Sequence, residues 1–343
     1  MCFLRLAENK TMKKYLLLWM LFLPGLVLAG QPLGETPFSV YKFPSDQCRI
    51  IDHNQSRIFV PGNCFYLDGQ IYKGEVTMNY REFLDQLDII INQVPLQFSA
   101  AGEQHTLESG GMFELYAYAS NGKLLSFSPD KKIVVQLATQ FPYTKGLESF
   151  YLDRQTNNWQ KQTSFNGNKE ANNAVSDNDS DLWDDALWNN IIQDEVGQLW
   201  QTTQASSINV EEIRNKNFKT LQVDKMGIYN CDRILNEETI PFTATFNVEG
   251  AKFPVTNYVY VVYKNKNSLF YYYPSKEMTM KLLPDEPVAM FMFANDGTIA
   301  TVDPQFLASF DVKANANKTV NFKLKKLPKK PLNKQELAEL TGL

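Results

Sequence analysis

Residues 63–80 read NCFYLDGQIYKGEVTMNY and carry the clearest secondary-structure signal in the chain. Their apolar and polar positions alternate, and the pairs Asp68-Gly69 and Lys73-Gly74 interrupt the alternation as turn residues do. A period of two is typical of a half-buried β-strand, because successive side chains point to opposite faces of a sheet. The stretch therefore predicts short strands joined by tight turns.

Similar runs extend in both directions, between residues 37 and 152. One helical candidate, REFLDQLDIIINQ, repeats apolar residues such as Phe83, Leu87 and Ile91 at three- and four-residue spacing. Many short strands separated by turns favour a β-sandwich. We therefore predict that residues 30–155 form a first domain, a β-sandwich with one helix. Its other strand-like segments are FSVYKF, CRIIDH, SRIFVP, GGMFELYAYA, KLLSFS and KKIVVQLATQ.

The composition changes at about residue 156. Residues 156–218 are rich in Asn, Asp, Ser and Gln, which cannot bury enough apolar surface to fold alone, so we predict a linker with a short helix. A second series of strand-like segments occupies residues 219–328, with a hairpin about KNKN, and residues 329–343 form a basic tail with a helical end. The predicted fold class is all-β, with two β-sandwich domains joined by a polar, partly helical linker.

The N-terminus has the organisation of a signal peptide. Two lysines precede an apolar run, and Val27 and Ala29 stand at the positions that a signal peptidase inspects. The run is shorter than the roughly 20 residues that a transmembrane helix needs. We predict that residues 1–29 are a signal peptide, with Met12 as an alternative start. The protein is then exported, without a transmembrane span, to the periplasm or to the extracellular or outer-membrane surface.

The charge balance excludes one class of partner. The chain has 34 Lys and Arg against 38 Asp and Glu, and removal of residues 1–29 leaves 30 basic and 37 acidic residues, a net charge of −7. General nucleic-acid binding requires an excess of basic residues to neutralise phosphates. We therefore expect no nucleic-acid partner, and no sequence feature predicts a cofactor.

Three cysteines remain after signal-peptide removal: Cys48, Cys64 and Cys231. In an exported protein a Cys48–Cys64 disulfide is the natural pairing, because a strand–turn–strand could bring the two residues together. The alternative is that all three are small buried hydrophobic residues.

A weak cation-binding pattern lies in the predicted linker, where residues 177–188 read DNDSDLWDDALW. Asp177, Asp179 and Asp181 match the first three ligand positions of a calcium loop. The sixth and twelfth positions are Leu and Trp instead of the expected Gly and Glu, so the turn and the bidentate ligand are both missing. A solvated acidic linker explains the segment better than a metal site.

Residues 312–335 hold eight lysines and no acidic residue. This basic stripe, Lys313 to Lys334, has two interpretations. It is either an exposed strand edge that lysines protect from aggregation or a contact with an anionic surface of the cell envelope.

The segment DKMGIYNCDRI, residues 224–234, contains the residue types of an active site. We interpret it instead as the structural signature at the start of the second domain. Gly227 permits a bend, Ile228 or Tyr229 packs into the core, and Asn230 and Asp232 hold a turn through hydrogen bonds to the backbone. No catalytic residue is predicted. Of the two histidines, neither belongs to a metal or nucleophile motif, and a turn or surface position suits each.

Three segments resemble a known group. They are VPGNCFYLDGQIYKGEVTMNYREFLDQLDIIINQVPL, ESGGMFELYAYASNGKLL and GIYNCDRI, in that order. They resemble secreted Bacteroidetes β-sandwich proteins of unknown function, in which a ZU5-like N-terminal domain precedes a β-domain that opens with G-W/Y-x-N-x-D. The resemblance implies an interaction or scaffold module. Some ZU5-containing proteins cleave themselves at His-Phe-Ser, which this chain lacks.

These observations favour a non-enzymatic, exported module of the cell envelope or cell surface that acts through contacts with an envelope protein or glycan. The alternative is an envelope hydrolase or enzyme accessory that uses carboxylates in a cleft between the domains. A deep cleft with converging acids would favour the enzyme, and closed sandwiches would favour the module.

Overall fold

A computed structural model of the chain describes residues 33–100, 103–139, 147–162, 218–249, 258–272, 277–294 and 296–343. The predicted signal peptide, the calcium-like residues Asp177, Asp179 and Asp181, and most of the predicted linker lie outside the described residues. The described chain is mainly β, with short helices, which confirms the all-β prediction.

The N-terminal sandwich consists of two packed sheets and a small third sheet. The seven-stranded sheet has the order β1-β6-β8-β14-β11-β12, with β7 paired to β8, and the four-stranded sheet has the order β13-β10-β3-β2. Strands β5, β4 and β9 form the third sheet. The bounds are β1 (Ser39–Pro44), β2 (Arg49–His53), β3 (Ser56–Val60), β4 (Phe65–Leu67), β5 (Gln70–Ile71), β6 (Glu75–Phe83), β7 (Gln97–Ala100), β8 (Glu103–Ala119), β9 (Ser126–Phe127), β10 (Ile133–Ala138), β11 (Glu148–Asp153), β12 (Asn158–Lys161), β13 (Phe218–Val223) and β14 (Gly227–Ile234).

Alternation along these strands builds the sandwich core. Tyr80 and Phe113 from the seven-stranded sheet meet Ile58, Val135 and Leu221 from the four-stranded sheet in one buried cluster. Every second residue points inward, as the alternating sequence predicts.

The sheets divide the chain differently from the predicted domain boundaries at residues 155 and 219. Strand β12 extends the seven-stranded sheet, β13 pairs with β10, and β14 lies between β8 and β11. Residues 218–234 therefore belong to the N-terminal sandwich and do not open the next sheet. Backbone pairing between strands that are distant in the sequence determines this arrangement, and alternation within one strand does not reveal it.

Helix α1 (Gln86–Ile91) is shorter than the helical candidate in the sequence. The preceding residues, Arg81 to Phe83, complete strand β6 instead. The helix begins where it does because the Asp85 side chain accepts a hydrogen bond from the Asp88 N–H, 3.1 Å away, and caps the first turn. Leu87 and Ile91 are buried as predicted.

The C-terminal sheet contains seven strands in the order β17-β16-β19-β20-β21-β15-β18. Residues in or beside the non-adjacent strands β16 and β18 approach each other, since the Tyr263 hydroxyl at the end of β16 accepts a hydrogen bond of 3.0 Å from the Leu283 N–H, which follows β18. The predicted hairpin about KNKN joins β16 to β17. The bounds are β15 (Ile240–Glu249), β16 (Val259–Tyr263), β17 (Leu269–Tyr272), β18 (Met278–Leu282), β19 (Val288–Phe293), β20 (Ile299–Val302), helix α2 (Pro304–Ala308), β21 (Thr319–Lys326) and helix α3 (Lys334–Thr341).

Strand β16 is buried on both faces, which its continuous apolar sequence VYVVY reflects. Val259 and Val261 face the core of the C-terminal sheet. Tyr260 and Val262 face a second cluster that includes Phe83 of the N-terminal sandwich. The two parts of the molecule therefore share a hydrophobic core.

Candidate functional site

The segment with active-site residue types, Gly227 to Ile234, is strand β14 in the middle of the seven-stranded sheet. Gly227 has a φ of +139°, a conformation that side chains disfavour. A Cβ atom there would also lie 3.1 Å from the Tyr151 ring. The glycine thus permits a bend, as predicted, but the bend lies inside the N-terminal sandwich.

Tyr229 stabilises the turn that precedes β14. Its ring is fully buried and stacks on Phe113, with 5.4 Å between the ring centroids. Its hydroxyl donates to the Asp224 carboxylate at 2.9 Å and accepts from the backbone N–H groups of Asp224 and Lys225. Burial, followed by the nearby Asp224 charge, raises the pKa of Tyr229. The residue is a structural anchor, because its hydroxyl proton is held in these bonds.

Asn230 and Asp232 form a buried polar group on the face of the sheet that points away from the sandwich core. Asn230 Nδ2 donates to Asp232 Oδ2, and Asn230 Oδ1 accepts from the Ser109 hydroxyl at 3.0 Å. The register of β14 against β8 shifts between the two residues, as at a β-bulge. The prediction that these two residues hold a turn is therefore wrong: they lie within strand β14 and make side-chain bonds where its pairing is irregular.

Asp232 has a strongly perturbed ionisation. Its side chain is fully buried, and burial raises its pKa well above the ordinary range, with the Glu108 charge acting in the same direction. The Ser109 side chain and the Gly110 backbone lower the pKa, but Oδ1 makes no well-formed hydrogen bond. The carboxyl group thus favours its neutral form and has no access to solvent.

The turn of the β16–β17 hairpin docks beside this polar group. The Ser109 N–H donates to the Asn267 carbonyl, and Asn267 Nδ2 donates back to the Ser109 carbonyl, each over 2.8 Å. The Ser268 hydroxyl donates to the Leu107 carbonyl at 2.7 Å. We call this contact between strand β8 and the hairpin turn the joint. The sequence predicted the hairpin, but a single polar turn gives no signal for the strand that it contacts.

Helix α3 of the C-terminal part contacts helix α1 of the N-terminal sandwich. Lys334 of α3 lies 2.7 Å from Asp85 and 2.8 Å from Asp88 at the start of α1. Burial lowers the pKa of Lys334, but its hydrogen bonds to the two carboxylates outweigh this effect and raise the pKa overall. Leu337 of α3 is fully buried in the shared core. Residues 329–343 therefore include a docked helix rather than a free tail.

A second polar cluster lies at one end of the N-terminal sandwich. His53 Nδ1 is 2.7 Å from the Tyr41 hydroxyl, and its Nε2 is 4.0 Å from Glu82. The Tyr80 hydroxyl donates to Glu82 at 2.9 Å. Burial lowers the pKa of His53, and the Glu82 charge opposes this effect. The sequence assigned His53 to a turn or surface position and did not link it to Glu82, because the contact spans three strands.

The predicted Cys48–Cys64 disulfide is not formed. Cys64 is fully buried in the sandwich core, whereas the Cys48 sulfur accepts a hydrogen bond from the Gly62 N–H at 3.3 Å. The Cys48 and Cys64 side chains therefore lie in different environments. Cys231 is likewise in no disulfide within the described part of the chain, and it is buried in the sandwich core.

The basic stripe is not a strand edge. Strand β21 pairs with β15 on one side and β20 on the other, so it is internal to the sheet. The edge-protection interpretation is therefore wrong for its lysines. Several stripe lysines form ion pairs: Lys313 with Asp285, Lys326 with Asp296, Lys329 with Glu336, and Lys334 with Asp85 and Asp88.

The carboxylates around the joint are positioned for structure rather than for proton transfer. Glu108 pairs with Arg233 at 2.6 Å, and Glu114 pairs with Arg81 and Arg154.

Within the described ranges, no group of three or more His, Cys, Asp or Glu side chains is placed to hold a metal ion. No helix in that same part of the chain is long and apolar enough to cross a membrane.

No family model matches the chain, and no curated protein matches it at a significant level. Among solved structures, the chain is similar to a pilus-presented adhesin, Spy0125 (Cpa), at 10% sequence identity. The alignment covers 86% of this chain and 95% of that chain, with a TM-score of 0.15. A TM-score of this size carries no argument about fold or function. The interpretation of the joint and of the basic stripe therefore depends on their own geometry.

Proposed function

We propose that the protein is a non-enzymatic, exported module of the cell envelope or cell surface that binds an envelope protein or glycan. Under this proposal residues 1–29 are removed as a signal peptide. The resemblance to secreted ZU5-like proteins is part of the same proposal, which also includes an anionic surface contact through the basic stripe.

The closed joint is the observation that supports the proposal. The shared core and the hydrogen bonds of Asn267 and Ser268 fill the contact between the N-terminal sandwich and the C-terminal sheet. The carboxylates beside it are either ion-paired, as Glu108 and Asp88 are, or sealed from solvent, as Asp232 is. The alternative, a hydrolase that works through a pair of carboxylates, would need both of them to reach a substrate from a shared cleft.

A capture experiment tests the binding function. The chain from Gly30 onward is immobilised and exposed to separated protein and polysaccharide fractions of the envelope. We expect one fraction to be retained by the folded protein and not by the same protein after heat denaturation. Equal retention by both forms would contradict the proposal.

An activity assay tests the alternative, an envelope hydrolase. We expect no release of reducing ends or peptides from envelope polymers by the purified protein. If the protein released such products, and if Glu82→Gln or Asp232→Asn abolished the release without unfolding the protein, the enzyme hypothesis would replace the binding-module hypothesis. Terminal sequencing of the exported protein separately tests the predicted start at Gly30.

A further inference from the structure

The outer face of strands β15 and β21 is polar, with exposed residues on β21 and half-buried threonines on β15. Outward residues of β21 are Thr319, Asn321, Lys323 and Lys325, all exposed, while their even-numbered neighbours, Val320 to Leu324, are buried. The parallel partner β15 places Thr243 beside Thr319 and Thr245 beside Asn321. We call the surface formed by Thr243, Thr245, Thr319, Asn321, Lys323 and Lys325 the threonine–lysine face.

The face lies on internal strands, so its lysines have no edge to protect. Strand β21 is hydrogen-bonded on both sides. Lysines that protect a sheet from aggregation belong on unpaired edges. Protection of a strand edge therefore does not explain the lysines on this face. Polar residues as such are expected there, because this side of the sheet faces solvent.

The two lysines of the face, like Lys318 and Lys330 of the stripe, are not ion-paired within the described residues. Lys323 and Lys325 form no ion pair with any residue in the described part of the chain, whereas Lys313, Lys326 and Lys329 each do. One acid, Glu249, lies beside Lys325 in the register. In a chain with a net charge of −4, the face therefore carries two lysine charges that no ion pair in the described residues neutralises.

We propose that the threonine–lysine face binds an acidic polysaccharide. The unpaired ammonium groups complement carboxylate or sulfate groups, and the threonine and asparagine side chains can donate to and accept from sugar hydroxyls. Outward positions of β21 and β15 along this face carry no large apolar side chain to insert into a bilayer, as surface-bound membrane proteins do, so a lipid surface fits less well. This inference rests on the proposed binding function and names its ligand class.

Binding to polygalacturonate tests the inference. The purified chain and the double variant Lys323→Gln/Lys325→Gln are compared at low and at physiological salt. We expect the wild-type protein to bind, with an affinity that falls as salt rises. Loss of two charge contacts should weaken binding by about tenfold. The matched control Lys313→Gln/Lys329→Gln changes the net charge equally but removes lysines that already have partners, so it should bind as the wild type does.

Several results would overturn the inference. These are absence of polygalacturonate binding at low salt, an equal loss in the control variant, or equal binding of neutral dextran. Binding of vesicles that contain phosphatidylglycerol, without binding of polygalacturonate, would assign the face to lipid instead. Failure of the wild type to bind polygalacturonate, together with capture of an envelope fraction by the Lys323→Gln/Lys325→Gln variant, would refute the assignment of the threonine–lysine face and leave the proposed binding function intact. Unchanged thermal unfolding of both variants excludes misfolding as the cause.

Discussion

At the scale of single residues, Asp232 is completely buried and has no cationic partner among the residues that the structure describes. Its folded-state pKa is raised, so its stabilising contribution is present below the unfolded pKa of about 4 and is lost as pH rises through the folded pKa. Asp232→Asn keeps the shape and removes the ionisation. We therefore expect the unfolding free energy of Asp232→Asn to exceed that of the wild type increasingly between pH 4 and pH 8, as measured by urea denaturation.

The Asp232→Ala variant is the control for shape. It leaves Asn230 Nδ2 without its acceptor, so we expect a loss of about 1–3 kcal/mol throughout that pH range. If Asp232→Asn were as unstable as Asp232→Ala at pH 8, the ionised carboxylate would be making interactions that the amide cannot replace. The structural interpretation of this residue would then fail.

His53 gives the opposite pH dependence. Burial lowers its pKa in the folded state, so its contribution to stability is complete above the unfolded pKa of about 6.5 and is lost as pH falls through the folded pKa. We expect the melting temperature to decrease less between pH 7 and pH 5 in His53→Gln than in the wild type. His105→Gln controls for the loss of a histidine elsewhere, and an equal effect in both variants would refute the role of His53 burial.

At the scale of elements, the sequence predicts what depends on neighbours along the chain. Alternation located β1, β6 and β21, and the polar KNKN turn located the β16–β17 hairpin. Pairing between distant strands was not predictable in this way. Strand β14 has the same alternation whether it joins β8 or a later sheet, and β21 looks like an edge strand until both of its partners are known. The helical candidate was too long because Phe83 suits either a strand or a helix face.

The hairpin turn should control the joint. Asn267→Ala removes the hydrogen bond to the Ser109 carbonyl, and we expect it to lower the unfolding free energy by about 1 kcal/mol. Hydrogen exchange should become faster at the Ser109 amide, which donates to the Asn267 carbonyl. Asn315→Ala is the matched control, because it removes a side-chain bond to Asp311 in an exposed turn. Faster exchange at Ser109 in the control as well would mean that the joint does not depend on Asn267.

At the scale of the whole molecule, the shared core makes the two parts one folding unit. Phe83 and Phe150 of the N-terminal sandwich, Phe291 of the C-terminal sheet and Leu337 of α3 belong to the same buried cluster. Separation of the parts would expose this apolar surface to water. Helix α3 links the two parts, because Lys334 pairs with Asp85 and Asp88 at the start of α1 and Leu337 is buried in the shared core. We call this helix the clasp.

Leu337→Ala tests whether the clasp couples the two parts. Removal of this fully buried side chain should cost about 2–5 kcal/mol, because it leaves a cavity in the shared core. The loss falls on the contact between the parts, so we expect calorimetry to resolve two transitions in the variant and one in the wild type. Leu332→Ala is the control: its side chain is 75% exposed, and its effect should stay within about 0.5 kcal/mol. A single transition in Leu337→Ala, merely shifted to lower temperature, would show that the joint holds the parts together without the helix.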